Sequence, residues 1–415
     1  MIPPRQKNKI SVTGMGCCSG AGATVPEILK NIQEKKINCQ PVPDYLFQTD
    51  LNFTAFAMKN EILSPSGRNL LEQAGQDYHS GQFNRTVLLA IEATAEALHD
   101  AGLFASDLRN KRVGIILGTT VGCTFHDEQY YIQWRRGNLP DPAPVFHYLN
   151  ANLATMLQAV LGVQGPAAVV TNACASGTDA VGIARDWLAR DLCDIALAGG
   201  ADALSRIAYY GFASLMLLSE SPCTPFDQNR SGLNLGEGAG VLILEPQTQA
   251  EHRKAYAHGW VHGYGAASDC YHPTAPHPEG RGLQKALALA LADAGIDQDD
   301  ICYVNAHGTG TNANDKAEMA ALAAMKLLDC PVMSTKGMTG HMLGAAGAVE
   351  AILTMMALDK RETCGTIGCR QLDQELARGA LTENEREPLK GKIGISQSLA
   401  FGGTNSALIL EASGS

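Results

Sequence analysis

Three residues far apart in the chain, Cys174, His307 and His341, each stand where a strand-like run breaks into a turn of small residues. Together they could perform acyl transfer on a thiol. Cys174 lies in Ala167-Ala-Val-Val-Thr-Asn-Ala-Cys-Ala-Ser-Gly-Thr178, a β-branched strand running into a helix of small residues. A thiol at a helix start faces unpaired backbone N–H groups and the positive end of the helix dipole, which favour thiolate and can hold a developing oxyanion. An isolated cysteine in an apolar run is ordinarily a packed core residue; the two histidine motifs reverse that reading. His307 is delivered by the apolar run Ile301–Ala306 into the turn His307-Gly-Thr-Gly-Thr311. His341 stands in Val332-Met-Ser-Thr-Lys-Gly-Met-Thr-Gly-His-Met-Leu-Gly-Ala-Ala-Gly-Ala-Val-Glu350, which also carries Lys336 and Glu350. Strand ends are where α/β proteins usually present catalytic side chains. Lys336 could serve as a general base, as an electrostatic aid or as a partner for Glu350. Pairing is preferred, because it keeps a buried lysine charged, and it is expected to fix the position of His341.

The elements that must position these residues alternate. Strand-like runs fall at Lys9–Thr13, Val113–Leu117, Ala167–Thr171, Asp194–Ala198, Val241–Glu245, Ile301–Ala306, Val332–Ser334, Lys392–Ser396 and Ala407–Leu410. Between them, Arg85–Ala101 carries Val87, Ile91, Ala95 and Leu98 at helical spacing, and the Ala/Leu-rich run Leu283–Ala294 ends at Gly295. Such alternation predicts an α/β protein with helices covering its sheets. A weak internal echo is present: strand, turn, reactive residue and small-residue helix occur around Cys174 and again around His341. The segments 38–80 and 125–148 lack clean periodicity and read as cap or dimer-interface insertions.

With these motifs in hand, the chain resembles the β-ketoacyl-acyl-carrier-protein synthases, the condensing enzymes of fatty acid and polyketide assembly within the thiolase superfamily. The resemblance runs nearly end to end, through Val12-Thr-Gly-Met-Gly16, Asn84-Arg-Thr-Val-Leu-Leu-Ala90, Gly118-Thr-Thr-Val-Gly122, the Cys174 elbow and Ala198-Gly-Gly-Ala-Asp-Ala203. It continues through Pro225-Phe-Asp-Gln-Asn-Arg230, Gly236-Glu-Gly-Ala-Gly-Val-Leu-Ile-Leu-Glu245, both histidine motifs and Phe401-Gly-Gly-Thr-Asn405. It implies a duplicated five-layer αβαβα fold, with an N-terminal half over 1–250 carrying the nucleophile and a C-terminal half over 251–415 carrying both histidines. It implies that Cys174 accepts an acyl group, that malonyl thioester then loses carbon dioxide, and that the enolate attacks the acyl group. His307 and His341 would donate neutral N–H groups to the enolate oxygen. The backbone N–H groups of Cys174 and Phe401 would hold the second oxyanion, with Gly402 and Gly403 permitting the turn. The Phe401 ring resembles a gate to the acyl pocket. Thr309 and Thr311 match hydroxyls that bind the pantetheine arm, although threonines in Gly-rich turns also act as turn formers. Asp315 and Glu318 look like carboxylates that support the loop from behind.

The same resemblance implies no cofactor beyond the phosphopantetheine arm of an acyl carrier protein, and a dimer, either of identical chains or with a chain-length-factor-like relative. A noncatalytic chain-length subunit is the competing reading, but such proteins typically lack the cysteine. A coenzyme A thiolase would show a Cys-His-Cys pattern instead. One departure concerns the carrier: the stretch Leu63–Glu72 offers only Arg68, and 217–225 offers no basic residue, leaving Arg135 and Arg136 to compensate. A second is Ala400, where the family usually has glycine.

Composition agrees with this picture. In 415 residues, 45% hydrophobic and 18% charged, a large core can form. The formal charge of −10 weighs against nonspecific nucleic-acid binding. Twelve cysteines without a CxxC pair, and no N-terminal apolar run, point to a reducing cytoplasm. No stretch reaches the roughly 18 apolar residues of a membrane span. Gly14-Met-Gly-Cys-Cys-Ser-Gly20 imitates a dinucleotide motif but has Ser19 at the third glycine position. His258, His262, His272 and His277 match no metal spacing and read as surface loop residues.

Overall fold

Apolar runs and small-residue helices assemble into a ten-stranded mixed sheet in the computed structural model, which describes residues 9–76, 83–121, 124–376 and 378–414, excepting the side chains of 124–127 and 147–148. Its first five strands are β1 (Ile10–Ser19), β2 (Val113–Gly118), β3 (Ala167–Val170), β4 (Ile195–Asp202) and β5 (Gly238–Pro246). The other five are β6 (Gly259–Ser268), β7 (Ile301–Asn305), β8 (Val332–Met333), β9 (Ile393–Ala400) and β10 (Thr404–Ala412). The spatial order is β3-β2-β4-β5-β1 and then, mirrored outward from the junction, β6-β10-β9-β7-β8. Read from its outer edge inward, each half has the same permutation. Directions match as well: the outer three strands are parallel and the inner two antiparallel in both halves. Within the main sheet the halves are paired through Ser11 with Trp260 and Val12 with Gly259.

This is the duplicated α/β architecture anticipated above, and helices complete its layers. The helices α1 (Arg85–Asp100), α2 (Ser176–Ala189), α3 (Arg281–Ala294), α4 (Asn312–Ala324) and α5 (Ala346–Lys360) matter most for the site. Helix α1 covers the outer face of the first half and α3 that of the second. Helices α2 and α5 fill the layer between, touching strands of both halves. Their backbones approach so closely that a Cβ on Gly177 would lie 2.7 Å from the Gly344 carbonyl oxygen, and one on Gly347 2.0 Å from Thr178 Oγ1. Small residues are therefore a steric requirement of the central layer.

Two sequence expectations are corrected. Strand β1 extends to Ser19, so Gly14 and Gly16 lie inside a strand. Cβ atoms there would strike the Ala97 and Ala93 carbonyls of α1, at 2.3 and 2.0 Å. His262 is a strand residue of β6 that pairs with Glu411, and His258 contacts Asp100 at 2.7 Å. Segment 38–76 contributes two short strands, Gln40–Pro41 and Thr54–Phe56, to a small sheet with Leu235–Gly236; residues 77–80 of the first insertion lie outside the described residues. In the second insertion, Trp134, Leu139 and Phe146 are exposed. Arg68 forms an ion pair with Glu61. No described helix is long and apolar enough to cross a membrane.

Candidate active site

Equivalent strands of the two halves feed the site. The third strand of the first half, β3, leads to Cys174; the third strand of the second, β8, leads to Lys336 and His341; its neighbour β7 leads to His307. The three reactive side chains meet: their donor atoms all lie within 4.8 Å of one another. Cys174 Sγ is 2.9 Å from His341 Nε2, and the two imidazole rings stand nearly perpendicular, 5.1 Å between centroids. They line a cavity of about 280 Å³ together with Phe401, Phe212, Thr309 and Thr311.

Cys174 does not occupy the helix start that its sequence suggests. Helix α2 begins at Ser176 behind Ala175, so the thiol sits on the elbow before it, where Ala173 is held at φ +46. Burial pushes the thiol up to about 12, against the pull of Lys336 and of the backbone N–H groups of Phe401 and Cys174 itself. The resting group is therefore a thiol and not the thiolate that a helix dipole alone would favour. Those same two N–H groups lie beside the sulfur, where the oxyanion of an attacked thioester would develop. The chain reaches Phe401 through the hairpin joining β9 and β10, where Gly402 and Gly403 have φ +85 and +75. The Phe401 ring stacks on Phe212 at 5.2 Å, and Phe212 in turn meets His341 edge-on.

Lys336 pairs with Glu350 as expected, but it positions the other histidine. Its Nζ contacts Glu350 Oε1, the His307 carbonyl oxygen at 2.6 Å and His307 Nδ1 at 3.2 Å. An ammonium has three protons and here three acceptors. Accepting at Nδ1 leaves the His307 proton on Nε2. Burial, Lys336 and His341 all hold His307 well below the ordinary imidazole value, and burial followed by Lys336 does the same for His341. Both rings are neutral at pH 7. Imidazole ¹⁵N spectra at pH 6 should still show His307 as the neutral Nε2–H tautomer; an imidazolium pattern there would contradict this assignment.

Carboxylates behind the loop do what the sequence suggests. Glu318 accepts from the backbone N–H groups of His307 and Gly308 and from Gln397, and burial pushes it up to about 7. Asp315 accepts from Gly310 and Phe226. His341 is held differently, its N–H donating to the Asn234 carbonyl and its carbonyl accepting from Gly236. A Cβ on Gly236 would lie 2.4 Å from the Thr339 carbonyl oxygen. Asn234, and the buried Arg85–Glu237 pair beneath it, are supporting residues the sequence reading did not single out.

The Lys336–Glu350 pair is 1% exposed on each side. Removing one partner of such a pair costs about 3–5 kcal/mol, because the other is left buried and unpaired. Lys336→Met should therefore lower unfolding free energy in urea by about that amount, and adding Glu350→Leu should recover part of it; an unchanged midpoint in the single variant would contradict the pairing.

A neutral Cys-His-His cluster at the meeting of two duplicated α/β halves defines a thiol-based acyl-transfer site. Residues 7–250 match the model of the beta-ketoacyl synthase N-terminal domain, and residues 258–370 that of its C-terminal domain. The chain belongs to the β-ketoacyl synthase family. It is 32% identical to a 3-oxoacyl-[acyl-carrier-protein] synthase 2 of Synechocystis sp., covering 97% of this chain and 98% of that one. It is 35% identical to a Staphylococcus aureus protein of the same name, over 96% of this chain and 100% of the relative. Among solved structures, the ishigamide ketosynthase/chain length factor superposes with a TM-score of 0.89 at 32% identity, covering 98% of this chain and 100% of that chain. The ketosynthase ApeO in complex with its chain length factor ApeC, from Xenorhabdus doucetiae, gives 0.82 at 29%, covering 100% of both chains.

Proposed function

We propose that the protein catalyses decarboxylative Claisen condensation between an acyl group carried on Cys174 and malonyl-acyl-carrier protein, giving a β-ketoacyl-acyl-carrier protein. The contact of Cys174 Sγ with His341 Nε2 at 2.9 Å, beside a second neutral imidazole, is the observation that carries this reading. The thiol attacks the carrier thioester carbonyl. A bond forms from sulfur to the acyl carbon, the carbon–sulfur bond to pantetheine breaks, and the proton given up by the Cys174 thiol ends on the departing pantetheine sulfur, so that His341 keeps its Nε2–H. Malonyl thioester then loses carbon dioxide, and the pair of electrons from the broken carbon–carbon bond enters an enolate whose oxygen meets Nε2–H of His307 and of His341. The enolate carbon attacks the Cys174 thioester, the Cys174 and Phe401 N–H groups hold the oxyanion, and the cysteine thiolate departs and regains a proton. Thr309 and Thr311, on the cavity wall, are assigned to the pantetheine arm. No step calls for a resident cofactor.

Relatives named as ketosynthases assembled with chain length factors support a dimeric partner here. Strand β3 ends the sheet with one edge unpaired among the described residues, which suits pairing with a second chain. The presence of Cys174 favours the catalytic over the noncatalytic role. Incubation with acyl-acyl-carrier protein should add the mass of one acyl group to the peptide containing Cys174, and later addition of malonyl-acyl-carrier protein should remove it. Acyl mass on any other peptide, or none, would refute the proposal.

A further inference from the structure

Asp202 closes strand β4, is fully buried, is not on the cavity wall, and among the described residues has no charged side chain within hydrogen-bond reach. Its carboxylate nevertheless has four donors. Oδ1 accepts from Thr119 Oγ1 at 2.7 Å and from Val121 N at 3.2 Å; Oδ2 accepts from Thr120 N at 2.8 Å and from Gly344 N at 2.7 Å. Two of these lead directly to the reactive pair. Thr120, held by its N–H, donates its own hydroxyl to the Ala173 carbonyl at 3.1 Å, and Ala173 is the left-handed residue before Cys174. Gly344 follows Leu343, which has φ +50 and stands two residues after His341. Non-glycine residues at positive φ are strained and persist only where their surroundings over-determine them. Here the strained residue beside the nucleophile and the strained residue beside its histidine are tied to one carboxylate.

The loops also interlock sterically around that carboxylate. A Cβ on Gly344 would stand 2.7 Å from Thr119 Cα and 2.8 Å from Asp202 Oδ2, and one on Gly200 would stand 2.5 Å from the Gly344 carbonyl oxygen. Burial pushes Asp202 up to about 6, and its four donors pull against that, so the group is set to accept. The other histidine depends on separate groups: Lys336, Glu350 and Glu318 surround His307, and none of them bonds Asp202.

We propose that Asp202 is the positioning residue that sets the Cys174–His341 contact, acting through Thr120 on the nucleophile elbow and through Gly344 on the histidine loop. The proposal rests on the reading of Cys174 as the nucleophile. Its test uses a small electrophile, so that failure of the positioning role and failure of the condensation reading give different results. Iodoacetamide alkylation of Cys174, followed by peptide mass as a function of pH, reports the sulfur and its histidine without any carrier protein. Asp202→Ala removes all four acceptor contacts; the rate should fall ~10-fold or more, because small misplacements of reacting groups carry large rate penalties, and its pH midpoint should move upward as the thiol loses its imidazole partner. Asp202→Asn can turn its amide oxygen to Thr120 and Gly344 and its NH₂ to the Thr119 hydroxyl, losing only the long contact from Val121 N, so it should restore most of the rate. If Asp202→Ala does not fold, Thr120→Val decides, since it removes only the bond to the Ala173 carbonyl and should shift rate and midpoint in the same direction. A folded Asp202→Ala or Thr120→Val protein with wild-type rate and midpoint, or Asp202→Asn falling as far as alanine, would overturn the proposal.

Discussion

Cys174→Ala is expected to abolish covalent loading and to lower condensation on the order of a thousandfold or more, since no other group can replace a lost nucleophile. The described residues support that expectation. Among the described residues His341 Nε2 has Cys174 Sγ as its hydrogen-bond partner, and the cavity wall includes no second cysteine. Cys223 is not on the cavity wall; its Sγ meets the Lys336 carbonyl at 3.1 Å, and burial pushes its thiol up to about 12. The measurement is intact mass after incubation with acyl-acyl-carrier protein. Persistent acylation of the alanine variant would remove the nucleophile assignment. Malonyl decarboxylation is predicted to survive in it, because both imidazoles remain in place.

His307→Ala gives the complementary result. Loss of one preorganised donor costs about 10²–10³ in rate where charge develops in a dry site. Decarboxylation of malonyl-acyl-carrier protein should fall by that factor, whereas acylation of Cys174, which uses His341 and two backbone N–H groups, should persist. Carbon dioxide release and acyl mass, measured on the same preparation, separate the two steps. Equal loss of both would mean that His307 supports the loop and not the enolate. The same substitution leaves Lys336 without its Nδ1 acceptor, but the His307 carbonyl and Glu350 still accept from it, so stability should fall much less than in Lys336→Met.

Most of this site is legible in the sequence because its chemistry sits on strand ends, where apolar runs stop at small residues. Cys174, His307, His341 and Lys336 are found that way, Glu350 follows as the carboxylate that could pair with Lys336, and all five converge. What fails is direction. Fourteen residues separate Lys336 from Glu350 on the same segment as His341, and that proximity in sequence suggests the wrong imidazole; the lysine crosses instead to the neighbouring strand's His307. Asp202 fails for a similar reason, since nothing in Ala198-Gly-Gly-Ala-Asp-Ala203 tells that its oxygens meet Gly344, 142 positions away. Among the main-sheet strands, the runs anticipate all but β6. Its sequence Gly-Trp-Val-His-Gly-Tyr-Gly-Ala-Ala-Ser has little of the composition of a strand, because α3 lies directly on it: Cβ atoms on Gly263 and Gly265 would lie 2.3 and 2.2 Å from the Ala290 and Ala286 carbonyl oxygens. Helix boundaries do better, since Gly295 at φ +67 ends α3 where its left-handed freedom is needed.

The way the two halves touch also bears on how bulky guests reach the sulfur. Nucleophile and imidazole come from opposite members of a repeated module, and the helices between those members are pressed backbone against backbone through Gly177 and Gly347. A molecule built like this cannot breathe along its seam: any hinge wide enough to admit an acyl tail would pull the thiol from its ring and undo the chemistry it serves. Admission must come from something small and peripheral, a swinging side chain or a flexing hairpin, while the seam itself stays shut through every turnover.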